Sequence, residues 1–324
     1  MKKLSIVILN YNSLGMIKDC LESFKKYQPD IDYEIIIANN DDDKKKFKKF
    51  SKNYPKIKFI QNTGNWGFSS GCNLGASIAE GEYLLFLNPD TELNKTRAID
   101  KMISILEQDN SVGACGCRTI TSKGIGNEVS WTSPWLLIRW IRLIFNIFNK
   151  SKNNKLFPKN KDIWYPGFVG GSAIALSTKD FKKINGWSDD RYWMYCEDSD
   201  ICYKIEKNLE KKSALVRNYS INHIGGGASK VDENSTLMLK LELIISTHNY
   251  IYQHSIGLSR MIILPSYIIK SVFPPFIKLL LSVLFFRQKR INKYQYLTVG
   301  IIRYYLNSIK RRTWKSNKLE YEKR

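Results

Sequence analysis

An uninterrupted apolar run, Leu84–Leu87, ends abruptly at Asn88-Pro89-Asp90 and constrains the fold more than any other stretch. A continuous rather than alternating apolar run is typical of a strand buried on both faces, as in a parallel sheet. Neither a helix nor a β-strand continues readily through Asn-Pro, so we expect Asp90 to follow the carboxyl end of this strand. Ligands bind at that edge of open α/β sheets, where a carboxylate is a candidate ligand for a divalent cation. The alternative is an ordinary Asn-Pro-Asp turn.

The first 60 residues alternate between strand and helix patterns. Hydrophobic periodicity predicts strands over Leu4–Leu9, Tyr33–Ala38 and Ile57–Ile60, and an amphipathic helix over Met16–Tyr27. This order predicts an α/β fold with a mostly parallel central sheet flanked by helices. No G-x-G-x-x-G and no P-loop motif follows the first strand, which argues against a dinucleotide cofactor and against ATP in a P-loop. The apolar run at the start ends too early for a signal-peptide core.

Charge is the unusual feature of the composition. The chain has 51 Lys+Arg against 30 Asp+Glu, a net charge of +21, which predicts an anionic partner such as a membrane surface, nucleic acid or a phosphorylated ligand. Residues 287–324 alone hold twelve Lys/Arg against two Glu. The six cysteines form no C-x-x-C pair and no spacing typical of zinc sites, so we expect reduced thiols in a cytosolic protein.

Two segments are rich in glycine. Residues 62–75 also contain asparagines, and they lead into a helix that we predict over Ala76–Ala79. Small residues let a backbone approach a ligand, and a helix amino terminus offers N–H groups to phosphate. The alternative is a surface loop with a helix cap. Residues 167–173 form the second segment and are interpreted as a strand entry.

Several motifs, in this order, resemble inverting family 2 glycosyltransferases with a GT-A fold. They are Asn10-Tyr11-Asn12, the Asn-x-Gly-Asn-x-Gly-Phe segment that begins at Asn62, and Leu87-Asn88-Pro89-Asp90. The similarity is greatest to the rhamnosyltransferase-type branch, in which Asn-Pro-Asp replaces the Asp-x-Asp metal motif. Residues 185–200 resemble the family's Gly-Gly-Phe-Asp-Glu…Glu-Asp-x-Asp block, and His223 with the glycines after it is similar to a His-x-Gly segment.

The resemblance covers about residues 3–230 and implies a domain organisation. A GT-A domain is expected over residues 1–235, with a nucleotide-sugar-binding half at 1–120 and an acceptor and catalytic half at 160–235. A helical, basic, membrane-associating region is expected over residues 236–324. The implied reaction transfers a sugar with inversion to a lipid-linked saccharide acceptor in bacterial cell-surface polysaccharide synthesis. The best candidate for the transferred sugar is L-rhamnose, from dTDP-rhamnose.

Inverting transfer needs a base that takes the proton of the acceptor hydroxyl, and a carboxylate can do this. The resemblance assigns that role to Asp198, with Glu197 and Asp200 as fallback candidates. The alternative for this block is the amino terminus of a helix, where the negative charges of Asp and Glu interact favourably with the helix dipole. For the acceptor and sugar pocket, the resemblance implies Gly170, Gly171, Trp193 and Glu197.

The resemblance also implies a divalent metal, Mn²⁺ or Mg²⁺, held by Asp90 and His223 against the donor diphosphate. A lone histidine is more often a packed residue than a ligand, but Gly225–Gly227 after it are typical of a lid. The donor nucleotide is expected at Asn10, Tyr11, Asn39, Asn65, Gly67 and Asn73. Many relatives carry Asp at the position of Asn39, whose amide accepts a pyrimidine N3–H without the charge-assisted bond. Relatives also often carry arginine at Ser177 and Lys204.

Two apolar segments raise the question of a membrane. Trp131–Phe148 interleaves Trp and Arg and suits either a core helix or an interfacial helix within residues 130–150. Met261–Phe286 contains Lys270 and Lys278, so we expect a surface-embedded helical hairpin rather than a span. The basic tail would then attract anionic lipid at the cytoplasmic face of the cell membrane, in a peripheral or monotopic protein. The alternative is a solvated helical tail with core contacts.

Other functions compatible with the sequence are a transferase for a UDP-sugar (hexose, N-acetylhexosamine or galactofuranose) and transfer to a polyprenyl phosphate. A non-enzymatic alternative is a basic scaffold that binds membrane or nucleic acid. The chain contains no nucleic-acid recognition motif, so nucleic acid is not an expected partner.

Overall fold

A computed structural model describes residues 2–122, 124–125, 129–130, 162–224 and 233–321. Its chain divides into two compact units. Of the described residues, the first unit comprises those within 2–130, 162–189 and 197–224, and the second comprises those within 190–196 and 233–321. The segments Trp131–Phe148 and Gly225–Gly227, predicted as an interfacial helix and a lid, lie outside the described residues.

The first unit begins with four parallel strands in the spatial order β3-β2-β1-β4. The strands are β1 (Leu4–Asn10), β2 (Tyr33–Asn39), β3 (Lys58–Gln61) and β4 (Tyr83–Leu87), joined by helices α1 (Leu14–Lys26), α2 (Lys44–Ser51) and α3 (Phe68–Ser77). All five residues of β4 are buried, as the continuous apolar run predicted. The predicted parallel arrangement of these strands is therefore confirmed, and the carboxyl ends of β1, β2 and β4 meet at one edge of the sheet.

The rest of the sheet is mixed. Strand β11 (Ala173–Ser177) pairs antiparallel with β4 and with β6 (Val112–Thr121), and β12 (Lys212–His223) pairs parallel with β6. The shorter strands are β5 (Thr91–Glu92), β7 (Gly124–Ile125), β8 (Val129–Ser130), β9 (Ile163–Trp164) and β10 (Phe168–Val169). Three helices, α4 (Ala98–Gln108), α5 (Thr178–Lys183) and α6 (Glu197–Leu209), belong to this part of the chain. The antiparallel β11 brings the segment before it to the carboxyl end of β4.

Helix α3 begins at Phe68, eight residues before the predicted start at Ala76, so that prediction was wrong. Glycine disfavours helices, but here it permits close packing on the sheet. A Cβ atom on Gly71 would overlap Leu9 Cδ1, and one on Gly75 would overlap Val7 Cγ1. From Phe68 onward the glycine-rich segment is therefore a helix pressed against β1, and only residues 62–67 form a loop.

Replacing Gly75 by Ala is expected to destabilise the first unit by about 1–2 kcal/mol, because overpacking against the rigid, buried Val7 outweighs the helix propensity of Ala. The matched control is Gly15→Ala on α1, where a Cβ would meet nothing within 4 Å. The Gly15→Ala substitution is expected to raise the free energy of unfolding by about 0.5–1 kcal/mol. Urea unfolding midpoints measure both, and stabilisation by both substitutions would refute the packing argument.

The second unit contains four helices among its described residues. They are α7 (Glu233–His254), α8 (Gly257–Leu284), α9 (Gln288–Arg311) and α10 (Lys318–Tyr321). The predicted hairpin within Met261–Phe286 was wrong, because α8 is one helix that continues through Pro265, Pro274 and Pro275. Helix α8 instead forms a hairpin with α9, to which it is joined by the turn at residues 285–287.

Glu242 of α7 is buried in this unit, with 3% of its surface exposed. Its Oε2 accepts a hydrogen bond from Ser316 Oγ at 3.0 Å. Burial raises the pKa of Glu242 to about 7, although the Ser316 bond and the charge of Lys318 oppose the shift. The carboxyl therefore binds its proton more tightly in the folded than in the unfolded chain. The resulting stability is complete below the unfolded pKa near 4.5 and is lost as the pH rises through about 7.

Glu242→Gln is expected to raise the free energy of unfolding of the second unit by about 2–3 kcal/mol near pH 8, and by much less near pH 5. Glutamine stays neutral and still offers an acceptor to Ser316. Thermal unfolding at the two pH values measures the difference. Glu233→Gln, at the exposed start of the same helix, is the control and should change stability by less than about 0.5 kcal/mol. An effect of Glu242→Gln that does not vary with pH would contradict the assignment.

Candidate active site

The ends of β1 and β2 are tied together by two asparagines, both fully buried. Asn10 Nδ2 donates to Asn39 Oδ1 at 2.5 Å, and Asn39 Nδ2 donates to Gln61 Oε1 at 2.8 Å. The amide of Asn39 thus joins the ends of three neighbouring strands. Tyr11, the next residue after Asn10, is 45% exposed and presents its ring at this edge. Contact of these residues with a nucleotide stays a prediction.

The segment that leads into α3 is held by asparagines. Asn65 Oδ1 accepts a bond from Gly67 N at 3.2 Å, and Asn40 Nδ2 donates to Gly67 O at 2.8 Å. Gly67 has a φ of +88°, a conformation that favours glycine, and it precedes the first helical residue. No side chain caps α3, so its first N–H groups face outward from the helix end, as in phosphate-binding helices.

Asn73 of α3 clamps the backbone of a residue that lies 114 positions further along the chain. Its Nδ2 donates to Trp187 O at 2.9 Å, and its Oδ1 accepts from Trp187 N at 3.0 Å. Trp187 is 1% exposed, and its ring packs edge-on against Phe68 and Phe86. Asn73 was predicted to bind the donor nucleotide. In the structure both ends of its amide fix the Trp187 turn.

Asp90 and His223 lie together, as the resemblance implied. Asp90 is 4% exposed, and its Oδ1 is 3.2 Å from His223 Nε2. Pairing of β5 with β12 aligns His223 with Thr91, and Ile224 N donates to Asp90 O at 3.0 Å. Asn88 Nδ2 lies 3.5 Å from the same imidazole nitrogen. The backbone of two strands therefore fixes the position of this pair.

These two side chains fit a divalent cation. Adjacent ligands at 2.0–2.1 Å in an octahedral site lie about 3 Å apart, close to the separation of the two donor atoms. Within the described part of the chain, His, Cys, Asp and Glu form no group of three or more that is placed to hold a metal. The remaining ligands would therefore come from water and a substrate diphosphate, as is usual for Mg²⁺.

The acidic block begins helix α6, so its carboxylates do lie in a helical first turn. Asp198 Oδ2 accepts a bond from Gly171 N at 3.3 Å, and a Cβ on Gly171 would lie 3.5 Å from Asp198 Cβ. Asp200 is fully buried and accepts a bond from Ser188 Oγ at 2.6 Å. A base must reach an acceptor hydroxyl. Of the two aspartates, Asp198 has the more accessible position.

A short series of contacts connects the acidic block to the Asp90–His223 pair. Asp198 is bonded to Gly171, and the next residue, Ser172, accepts a bond from Asn88 N at 2.9 Å. The side chain of Asn88 in turn lies beside His223. The antiparallel β11 thus brings together, within the first unit, the carboxylate proposed as base and the pair proposed as metal ligands.

Trp193, predicted in the acceptor pocket, belongs to the second unit, where Lys318 Nζ lies 3.5 Å from the centre of its ring. Gly170 precedes the Gly171 N–H that holds Asp198, and Glu197 is partly buried at the start of α6. Contact of these residues with an acceptor stays a prediction.

Lys204 has a role that the sequence did not reveal. Its Nζ donates to Gly186 O at 2.5 Å and to Ser188 Oγ at 3.2 Å, and Ser188 donates to the buried Asp200. Gly186 has a φ of +62°, a conformation that favours glycine, and a Cβ atom there would lie only 2.7 Å from Asn73 Oδ1. Lys204 therefore joins the Gly186–Ser188 turn to helix α6, which carries Asp198.

Lys204→Met is expected to lower kcat about tenfold with little change in donor KM, because the turn and the start of α6 lose a shared anchor. Lys204→Arg should retain most of the activity, since a guanidinium can donate to both oxygens. The control is Lys207→Met on the same helix, where the lysine is exposed and pairs with Glu206. Equal kcat for Lys204→Met and wild type would contradict the positioning role.

Similarity to solved structures agrees with the fold. GalNAc-T7, solved with UDP, GalNAc and Mn²⁺, superposes with a TM-score of 0.55 over 74% of this chain and 48% of its own, at 16% identity. The mannosyltransferase PcManGT of Pyrobaculum calidifontis, solved with GDP-Man and Mn²⁺, gives 0.54 over 93% of this chain and 86% of its own, at 13% identity. The fold is that of the GT-A class of glycosyltransferases.

The sequence profile of glycosyl transferase family 2 matches residues 5–174, more than half of the chain. A second profile, described as the N-terminal domain of galactosyltransferase, matches residues 154–223. The chain belongs to glycosyltransferase family 2, and this membership supports an enzyme of the hexosyltransferase class. Membership in this family favours an enzyme over the non-enzymatic scaffold considered from the sequence.

Characterised relatives differ in their sugars. A low-salt glycan biosynthesis hexosyltransferase of Haloferax volcanii is 26% identical over 208 residues, which is 63% of this chain and 62% of the relative. Rhamnosyltransferase WbbL of Escherichia coli is 26% identical over 209 residues, 62% of this chain and 75% of the relative. The poly(ribitol-phosphate) beta-N-acetylglucosaminyltransferase TarS of Staphylococcus aureus is 24% identical over 202 residues, 60% of this chain and 35% of the relative.

Proposed function

We propose that this enzyme transfers a sugar with inversion from a nucleoside diphosphate donor to a lipid-linked saccharide, with L-rhamnose from dTDP-rhamnose as the best candidate donor. The observation that carries the proposal is the series of contacts from Asp198 through Gly171 and Asn88 to the Asp90–His223 pair. Inverting transfer needs a base on one side of the anomeric carbon and charge neutralisation on the leaving group opposite, and this series links groups suited to both tasks.

On the donor side, Asp90 and His223 would hold a divalent cation, Mn²⁺ or Mg²⁺, that neutralises the departing diphosphate. The uncapped amino terminus of α3 offers N–H groups to the same phosphates. The exposed ring of Tyr11, beside Asn10 and Asn39, offers a face on which the nucleotide base can stack.

On the acceptor side, Asp198 would take the proton from the attacking hydroxyl. The Gly171 N–H orients one carboxylate oxygen, and Lys204 with Asn73 fixes the turn that adjoins the helix. Glu197 stays the fallback, because it precedes Asp198 and is not fully buried. The acceptor oxygen forms the new C–O bond to the anomeric carbon as the old C–O bond to the diphosphate breaks. The acceptor proton moves to the carboxylate, and the nucleoside diphosphate leaves with the electron pair of the broken bond.

Rhamnose is favoured by the similarity to the Escherichia coli rhamnosyltransferase. A role in cell-surface polysaccharide synthesis is supported by relatives that are named for glycan biosynthesis and for poly(ribitol-phosphate). A UDP-sugar donor is the main alternative, since TarS is named for N-acetylglucosamine. Transfer to a polyprenyl phosphate is the alternative for the acceptor. We place the enzyme at the cytoplasmic face of the cell membrane, where a lipid-linked acceptor and a soluble nucleotide sugar meet. Nucleic acid is not among the proposed partners.

The test is release of nucleoside diphosphate from a donor panel in the presence of Mn²⁺ and of lipid-linked saccharide. The panel comprises dTDP-rhamnose, UDP-glucose, UDP-N-acetylglucosamine, UDP-galactofuranose and GDP-mannose. We expect turnover with dTDP-rhamnose and a β-to-α or α-to-β change at the anomeric carbon, read by NMR. Turnover restricted to a UDP- or GDP-sugar would overturn the rhamnose assignment, and retention of configuration would overturn the assignment of Asp198 as base.

A further inference from the structure

We propose that the α8–α9 hairpin binds the surface of an anionic lipid bilayer with α8 lying in the membrane plane rather than crossing it. The inference rests on the proposed membrane association, and its test does not involve the proposed chemistry. It concerns the second unit alone.

Helix α8 exposes an apolar stripe to solvent. Ile263, Tyr267 and Ser271 define its buried face, which packs on α7 and α9. The opposite face carries large apolar residues at helical spacing, each 41–67% exposed; they are Ile262, Ile269, Phe273, Phe276, Leu280 and Leu284. The Phe285–Phe286 turn continues this face and is also exposed. A continuous exposed apolar surface of this kind marks an interaction site.

Helix α9 places a second apolar stripe beside a basic one. Exposed apolar residues recur every three or four positions; they are Tyr296, Val299, Ile302, Leu306 and Ile309. The exposed cations of the helix include Lys289, Arg290, Arg303 and Lys310. Apolar side chains that insert among acyl chains next to cations that meet phosphate headgroups are typical of interfacial helices.

Contacts within the hairpin argue against a span, although α8 is long and apolar enough to cross a membrane. Ser271 Oγ lies 3.0 Å from Tyr305 OH, and Lys278 Nζ lies 5.8 Å from the centre of the Tyr294 ring. The two helices are therefore packed antiparallel along much of their length. If α8 crossed a bilayer with its middle at Ser271, α9 would carry Arg303 into the hydrocarbon, where charge is unfavourable.

The charge of the hairpin also indicates which partner covers the apolar stripe: a lipid surface rather than a second copy of the chain. A second copy of the chain on the same stripe would bring two basic segments together, since residues 287–324 hold twelve Lys/Arg against two Glu. Repulsion between like charges opposes that pairing, whereas an anionic lipid surface attracts both the cations and the apolar side chains.

The experiment is flotation of the full-length purified protein with vesicles of phosphatidylcholine alone, or of phosphatidylcholine and phosphatidylglycerol in equal parts. We expect about tenfold tighter binding to the anionic vesicles, weakened by salt. The variant Lys289→Glu with Arg290→Glu should bind about tenfold more weakly. Its control is Lys45→Glu with Lys48→Glu on α2, which makes the same charge change on exposed lysines of the first unit and should bind like the wild type.

The stripe is tested by Phe273→Ser with Phe276→Ser, which should abolish flotation while leaving the circular dichroism spectrum unchanged. Equal loss of binding in the α2 and α9 charge variants would overturn the assignment to the hairpin. So would undiminished flotation of the serine variant. A dimer in solution that the serine variant converts to monomer would show that a second copy covers the stripe.

The orientation is tested by Asn292→Cys and Lys310→Cys, two exposed polar positions towards the opposite ends of α9, which packs antiparallel to α8. A membrane-impermeant maleimide is added outside sealed anionic vesicles to which the protein has bound. Labelling of both cysteines, above the background of the wild type with its partly exposed Cys196, is expected for a helix in the membrane plane. Protection of one end only would show that α8 spans the bilayer.

Discussion

Asp198→Asn is expected to lower kcat by about 10²–10⁴-fold, the usual contribution of a positioned general base. The amide keeps the size of the side chain but cannot accept the proton of the acceptor hydroxyl. Affinity for the nucleoside diphosphate should stay within about twofold of wild type, because an interaction made in the chemical step is what is lost. Steady-state turnover and nucleotide titration measure the two quantities separately.

The control for Asp198 is Glu206→Gln, which likewise replaces a carboxylate by an amide, at an exposed residue further along the same helix. It should leave kcat unchanged. If Asp198→Asn turns over like the wild type, Asp198 is not the base. Glu197→Gln would then be expected to show the loss instead, since Asp200 is buried and bonded to Ser188.

Asp90→Asn is expected to raise the Mn²⁺ concentration needed for half-maximal activity by at least about 100-fold, and so to abolish turnover at ordinary metal concentrations. Even changes to groups behind a metal ligand cost 10–100-fold in metal affinity, and Asp90 is proposed as a direct ligand. The amide retains the shape of this 4% exposed side chain, so the fold should survive. Metal titration of activity is the measurement.

Two further variants make the Asp90 result interpretable. Asp19→Asn, on the exposed face of α1, should keep the metal dependence of the wild type. His223→Ala should also raise the Mn²⁺ concentration needed for half-maximal activity, because its Nε2 shares the proposed site with Asp90 Oδ1. If Asp90→Asn and His223→Ala both fold, as judged by thermal unfolding, and both need no more Mn²⁺ than the wild type, the metal site lies elsewhere.

The parallel half of the sheet was predictable because its strands are continuous apolar runs that end at polar residues. Leu84–Leu87 is the clearest case, and the Asn-Pro-Asp turn after it fixed the position of Asp90. The pairing of Asp90 with His223 came from resemblance to the family rather than from the residues themselves. It depends on the alignment of β12 with β5, and no local pattern reveals such an alignment.

Features that depend on tertiary packing were not predictable. Helix α3 was placed too late because glycine has low helix propensity, and only contact with β1 explains why Gly71 and Gly75 lie in a helix. The Asn73–Trp187 clamp joins residues 114 positions apart. Helix α8 continues through its prolines and packs against α7 and α9, whereas proline alone predicts a kink or a break.

The central claim is a metal-dependent site for a nucleoside diphosphate at the Asp90–His223 pair. Calorimetric titration of the detergent-solubilised wild-type protein with dTDP, UDP and GDP, each with and without Mn²⁺, tests it most directly. We expect dTDP to bind in the presence of Mn²⁺ and not in its absence, and to bind more tightly than GDP. Failure of every nucleotide to bind under both conditions, or equal binding with and without metal, would contradict the account.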